Sequence, residues 1–153
     1  MNWEASVTFA IAVLGAVLGI FSTWQQLSKD RVKLRVRPVC VFELTRDGPS
    51  AARLAIHVLN LSAFPITVSD VGLVRRTIRK PRMSLTSPIL LDGKEWPRKL
   101  EPRESVTAHF GRDLNSARDL HLMTRAYATT MCGVTTYGVS PALKDVVRKC
   151  RQG

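Results

Sequence analysis

Near the N-terminus, twenty consecutive residues contain no charged side chain: ASVTFAIAVLGAVLGIFSTW, residues 5–24. A helix of that length is about 30 Å long, which matches the hydrocarbon core of a bilayer. Its few polar side chains are Ser and Thr, and Trp3 and Trp24 bracket it as interfacial tryptophans do. The segment lacks the polar stripe of a helix in a globular core. We therefore predict a transmembrane helix.

The flanks of this segment predict that it is retained and indicate its orientation. A cleaved signal needs a basic N-terminal region and a small-x-small cleavage site, and neither MNWE nor IFSTWQQL supplies them. Basic residues follow the segment in QQLSKDRVKLRVRP, whereas only Glu4 precedes it. The positive-inside rule then places the N-terminus outside and the folded part in the cytoplasm. The expected location is the bacterial inner membrane, as a single-pass protein.

Small residues lie at helical spacing on one side of the predicted span. Gly-x-x-x-Gly allows two helix backbones to approach closely, so this side is a candidate for packing identical helices into a homo-oligomer. The alternative is that these residues only face lipid, since Gly and Ala are common in spans. The candidate helix-packing residues are Ala12, Gly15, Ala16 and Gly19.

The charge of the chain is uneven. Its formal net charge is +11, and all 23 Lys and Arg lie from Lys29 onward. Such a field favours anionic lipid, nucleic acid or an acidic protein surface, although it can also serve only to fix membrane orientation. The densest basic segment is LVRRTIRKPRMS, with a second basic row in VKLRVRP. The predicted basic interaction patch comprises Lys33, Arg35, Arg37, Arg75, Arg76, Arg79, Lys80 and Arg82.

From Val32 onward the hydrophobic period changes to that of strands. VKLRVRP alternates strictly between apolar and basic residues, and similar short runs separated by turn signals follow it. PALKDVVRKC reads as a helix, with Pro141 in its first turn. We predict a transmembrane helix with a juxtamembrane extension (1–31), an all-β antiparallel immunoglobulin-like sandwich (32–140) and a short C-terminal helix or tail (141–153).

Three segments of the folded part carry a resemblance: HVLNLSAFPITVSDVGL, WPRKLEPRES and AYATTMCGVTTYG. Their order is similar to that of small Ig-like domains that follow one membrane helix in bacterial and prophage proteins. In that family an Asn-x-Ser or Asn-x-Gly turn precedes a Pro-Ile strand, a Leu-x-Pro-Gly/Arg-Glu turn follows, and a Gly-containing hairpin ends the domain. The resemblance implies the fold and no activity. This chain departs from the pattern in its density of Arg and Lys.

The sequence contains no motif for catalysis, a cofactor or a metal. Phosphate-binding loops, HExxH and GxSxG are absent. His57, His109 and His121 fall on separate predicted strands, so a shared metal site is not expected. The three cysteines, Cys40, Cys132 and Cys150, are odd in number and widely spaced, which favours reduced thiols. Asn60-Leu61-Ser62 is interpreted as a turn in which the Asn side chain caps backbone groups.

These features predict a membrane-anchored, non-catalytic binding module without a cofactor. Its partners are expected to be the lipid bilayer and a protein with an acidic surface, and the resemblance adds a phage or prophage origin. One alternative is a structural subunit of a membrane-embedded or virion-associated oligomer, assembled through the small-residue helix face. A second alternative is a membrane-tethered nucleic-acid binder. This one is less favoured, because no aromatic residue is interleaved in VRRTIRKPR.

Overall fold

The fold is that of a computed structural model, which describes residues 3–41, 44–45, 48–49, 53–75, 82–85, 87–111 and 120–152. The chain divides into two compact units, residues 1–31 and residues 32–153. The first unit is one helix and the second is a β-sandwich with a C-terminal helix.

The first unit is formed by helix α1, Trp3–Lys29. Its segment Ser6–Leu27 is long and apolar enough to cross a membrane, by length and composition, and none of that segment is buried. The hydroxyls of two threonines form hydrogen bonds with the backbone of the helix itself. Thr8 Oγ1 donates to the Glu4 carbonyl and Thr23 Oγ1 donates to the Gly19 carbonyl, both at 2.9 Å. The helix therefore presents almost no free polar group along its apolar length.

The second unit consists of two antiparallel sheets, a separate two-stranded pair (β2–β3) and helix α2. One sheet has the strand order β1-β4-β9-β7, and the other has the order β11-β10-β5-β6, with β8 paired to the start of β5. The elements are β1 (Leu34–Val41), β2 (Leu44–Thr45), β3 (Gly48–Pro49), β4 (Arg53–Asn60), β5 (Ile66–Arg75), β6 (Arg82–Ser84), β7 (Ile89–Leu90), β8 (Arg98–Leu100), β9 (Ser105–His109), β10 (Met123–Thr130), β11 (Thr135–Gly138) and α2 (Pro141–Gln152).

The strand orders confirm the predicted Ig-like sandwich. In immunoglobulin nomenclature, β1, β4, β9 and β7 take the places of strands A, B, E and D, and β11, β10 and β5 take those of G, F and C. The alternation predicted for the first strand is present, because Leu34 and Val36 are buried while Arg35 and Arg37 are exposed. The longest segments outside the described residues are 76–81 and 112–119.

The core lies between the two sheets and is closed by α2. Alternating apolar residues such as Leu54, Ile56 and Val58 point into it, as the pattern of RLAIHVLN predicts. Leu143 of α2 is buried in the same cluster, and Val146 and Val147 pack against it. An amphipathic helix in this position covers apolar side chains that the sheets alone would leave open.

Two glycines allow backbones to approach where a side chain would not fit. A Cβ at Gly72 of β5 would overlap the carbonyl of Met83 in β6 and would also meet the ring of Tyr127. A Cβ at Gly138 of β11 would overlap the carbonyl of Val36 in β1. Gly138 thus lets the edge of one sheet close against the edge of the other.

The strands give the sandwich two distinct ends. We call the end where β1 begins the attachment end, because residues 30–33 join it to α1. Three loops lie there: 61–65, 101–104 and 131–134. Leu61 N donates to Lys33 O at 2.8 Å, Arg103 N to Asn60 O at 3.0 Å, and Met131 N to Thr67 O at 2.9 Å. At the other end, which we call the far end, are the end of β5 and α2, where Cys40 Sγ lies 3.8 Å from Ala142 O.

Candidate binding surfaces

The first basic surface is a row on β1. Arg35 and Arg37 are exposed on the outer face of their sheet, and their cross-strand neighbours are Leu59 and His57 of β4. Lys33 precedes them and is also exposed. Among the residues that the structure describes, no carboxylate forms an ion pair with any of the three. The row is therefore able to attract an acidic group from outside the chain.

The second basic group lies in the other sheet, at the far end. Arg75 closes β5 and Arg82 opens β6, where it pairs with Val74. Arg75 is half-buried, and its Nε is buried without a hydrogen-bond partner among the described residues. Among the described residues, no hydrogen bond or ion pair joins Arg75 or Arg82 to the β1 row. The remaining predicted members, Arg76, Arg79 and Lys80, lie outside the described residues, so the patch as one surface stays a prediction.

A polar network on the outer face of the second sheet holds Arg82. Tyr127 is fully buried there, and its hydroxyl donates to Asp70 at 2.9 Å, which also accepts a hydrogen bond from Ser84. Burial, together with Asp70, raises the pKa of Tyr127 to about 12. The Arg82 guanidinium lies 5.3 Å from the Tyr127 ring centre and donates to the Tyr137 hydroxyl at 3.1 Å. The sequence analysis did not predict this network. The feature of the sequence that indicates it is a carboxylate, Asp70, within the apolar run VSDVGLV.

At the attachment end, Asn60 joins two of the motifs that carry the family resemblance. Its Nδ2 donates to the carbonyls of Phe64, Leu100 and Glu101 at 2.9, 3.1 and 3.3 Å, and its Oδ1 accepts from Ser62 N at 2.8 Å. The predicted capping role of Asn60 is thus confirmed. Because the side chain is fully buried, it is a structural amide and not an accessible acceptor for a glycan.

The adjoining turn, residues 101–104, is held by Glu104. Its carboxylate accepts from Glu101 N at 2.8 Å and pairs with Arg98 Nη2 at 2.9 Å. The hydrogen bond from the Glu101 amide is the main cause that lowers the pKa of Glu104. Burial opposes it, and the positive charges of Arg98 and Lys94 add to the lowering. Arg103 in this turn has a positive φ of 67°. A left-handed conformation at this position favours glycine over a residue with a Cβ.

The histidines and cysteines are distributed over the sandwich. His57 Nδ1 lies 3.2 Å from Thr107 Oγ1, and His109 is buried on β9. The side chain of His121 is outside the described part of the chain. No group of three His, Cys, Asp or Glu suited to a metal ion occurs among the described residues. Cys132 is exposed in the β10–β11 turn, where a hydrogen bond with Thr130 lowers the pKa of its thiol.

The small-residue face of α1 is open. A Cβ added at Gly15 or Gly19 would meet no atom within 4 Å, and Ala12 and Ala16 beside them are exposed. The four predicted helix-packing residues therefore form one accessible strip in this chain. Whether a second helix packs on it stays a prediction.

Apolar side chains are also exposed at the attachment end, which the sequence reasoning missed. Met131 is 68% exposed and Val134 is 39% exposed in the loop 131–134. In the loop 61–65, Ala63 and Pro65 are exposed and Phe64 is half-buried. Their sequence signal was the placement of large apolar residues beside Gly133 in a hairpin turn, where polar residues are usual.

No protein-family model matches this chain, and no curated protein is significantly similar to it.

Proposed function

We propose that this protein is a non-catalytic binding module anchored by α1 in the bacterial inner membrane. The N-terminus lies outside, and the Ig-like sandwich lies in the cytoplasm and presents basic surfaces to an acidic partner. The apolar length of α1 and the basic residues that follow it support the anchoring and the orientation. The resemblance extends the proposal to a phage or prophage origin.

One observation carries the choice of partner: the densest basic segment follows the end of β5 and precedes the start of β6, both at the far end of the sandwich. Arg75 and Arg82, which bracket it, lie at the far end of β5, whose ten residues span about 30 Å. The Debye length in the cell is about 8 Å, so a membrane surface near Lys33 would act only weakly on a charge beside Arg75. We therefore assign the basic segment to an acidic protein.

The β1 row is placed differently, and we assign it to anionic lipid. Residues 30–33, which connect Lys29 of α1 to Leu34 of β1, can span at most about 17 Å. Lys33 is therefore tethered near the membrane surface, where each basic residue contributes about 1 kcal/mol of attraction to anionic lipid. The two basic groups thus serve different acidic surfaces.

The test is affinity purification of the tagged full-length protein from membranes. One variant changes Arg76, Arg79 and Lys80 to Gln, leaving the half-buried Arg75 intact. A control variant removes the same charge from the β1 row by changing Lys33, Arg35 and Arg37 to Gln. We expect the first variant to lose an acidic protein that the wild type and the control retain. Retention by both variants would rule out the far-end surface.

The same purification decides between protein and nucleic acid. Salt weakens both interactions, so the identity of the bound material is the deciding observation. Salt-sensitive retention of DNA or RNA, lost after nuclease treatment and without an acidic protein, would support the nucleic-acid alternative.

A structural subunit is the second candidate, because the strip formed by Ala12, Gly15, Ala16 and Gly19 is open to a neighbouring helix. Small residues at such spacing allow close packing of spans, which would build a membrane-embedded or virion-associated oligomer. Oligomers that resist dodecylmaltoside would favour this candidate.

A further inference from the structure

The loops at the attachment end carry exposed apolar side chains beside the point where the sandwich joins its anchor. We define the tip loops as residues 61–65 and 131–134. Loop 61–65 connects β4 of one sheet to β5 of the other, and loop 131–134 connects β10 to β11. They lie at the same end, since Met131 N donates to Thr67 O near the start of β5. Met131 and Val134 are surface residues there and take no part in the buried core.

The short connection to α1 limits how far this end can move from the end of the helix. Four residues, 30–33, separate α1 from β1, and facing sheets of a sandwich lie about 10 Å apart. The sandwich is therefore tethered to the end of α1 by a short connection. Contacts that would be too weak for a free domain become favourable under such tethering, because the second contact is intramolecular.

We propose that the tip loops rest in the interfacial region of the same bilayer that α1 spans, as a second membrane contact of the protein. Met131 and Val134, together with Pro65, enter the boundary between head groups and acyl chains. This inference rests on the membrane anchoring in the proposed function and is independent of the acidic partner.

The charges around the tip loops fit an anionic lipid surface. Lys33 and Arg103 are exposed and have no carboxylate partner among the described residues, whereas Glu101 and Glu104 each form an ion pair with a neighbouring basic side chain. Asp30 in the connection is an exposed acid and is the exception. Apolar tips surrounded by unpaired basic residues are the composition of an interfacial membrane contact.

Cys132 provides a native probe at this position, because it is exposed between Met131 and Val134. In full-length protein with Cys40 and Cys150 changed to Ser, Cys132 is labelled with the environment-sensitive dye NBD. The protein is reconstituted into vesicles of phosphatidylethanolamine and phosphatidylglycerol. The matched control moves the label to the far end, with Lys144→Cys in a Cys132→Ser background. Quenching by doxyl-labelled phospholipid reports the depth of the dye.

We expect the dye at Cys132 to show blue-shifted emission and quenching by doxyl lipid, and the dye at Lys144→Cys to show neither. The double change Met131→Asp and Val134→Asp should abolish both signals at Cys132. Because both side chains are exposed, the sandwich should keep its melting temperature. Water-like emission at Cys132 would overturn the inference, and so would a blue shift without lipid quenching, which would indicate a protein contact.

Alkaline carbonate extraction of the same vesicles separates this inference from the proposed function. Protein released by carbonate is not anchored by α1, and both proposals then fail. Protein that stays in the membrane while Cys132 reports water leaves the anchoring and the acidic partner standing and overturns only the tip-loop contact.

Discussion

Asn60 is the residue whose side chain links the most separate parts of the chain at the attachment end. Its amide donates hydrogen bonds to the carbonyl of Phe64, four residues along the chain, and to that of Leu100, forty residues along the chain. It also donates to the carbonyl of Glu101. Each such hydrogen bond contributes about 1 kcal/mol net, and a buried carbonyl left without a donor costs more. A single amide in this position therefore fixes both loops and the start of β5 relative to each other.

Arg103 has a backbone conformation that is unfavourable for any residue with a Cβ. A non-glycine residue at a φ of 67° is strained, so Arg103→Gly should stabilise the folded state relative to Arg103→Ala by about 1 kcal/mol. The alanine variant is the matched control, since it removes the same charge and keeps the strain. The measurement is thermal unfolding of the full-length protein in detergent, followed by near-ultraviolet circular dichroism. Equal melting temperatures for the two variants would contradict the strain at this position.

Among the elements, helix α1 has two sides that can be compared directly. If the small-residue strip packs on a second helix, Gly15→Ile and Gly19→Ile each insert a branched side chain into the contact and should weaken association. Ala10→Ile adds the same bulk on the opposite side of the helix and should leave association unchanged. A membrane two-hybrid assay with matched expression measures this effect. Unchanged signals in both glycine variants would show that the strip only faces lipid.

The sequence predicted those elements whose pattern is local. The uncharged run, the alternation in VKLRVRP and the Gly-containing hairpin are each contained in one continuous stretch of sequence, and the structure confirms them. Pairings between distant segments were not predictable. Strand β8 pairs with the start of β5, but its sequence has no pattern that distinguishes it from a loop. Its three residues are extended because they pair with the partner strand.

The binding surfaces were predictable only in part, for a related reason. Charge clusters are visible in the sequence, but their separation depends on which end of a strand each cluster occupies. Lys33 precedes β1 at the attachment end, whereas Arg75 ends β5 at the far end. The outward-facing network around Tyr127 could be predicted only if the register between β10 and β5 were known, because that register places Tyr127 opposite Gly72.

The orientation proposed for the whole molecule is directly measurable. A C-terminal green fluorescent protein fusion should be bright and a C-terminal alkaline phosphatase fusion inactive, because the positive-inside rule predicts that the basic flank after α1 keeps the sandwich in the cytoplasm. A fusion to the N-terminal side of α1 serves as the reciprocal control. The reverse pattern would move the sandwich to the periplasm and make a bridge between Cys40 and Cys132 worth testing.

The pairing of β1 also determines how the sandwich responds to force. β1 follows α1 directly, and all eight of its residues pair with β4, while Gly138 holds β11 against the same strand. A load applied between α1 and the far end pulls β1 along its own axis, in shear against β4. In that geometry the hydrogen bonds of the ladder share the load, whereas a strand peeled from one end would lose them one by one. The sandwich should therefore resist extension from its anchor far better than the small contact area of an edge strand implies.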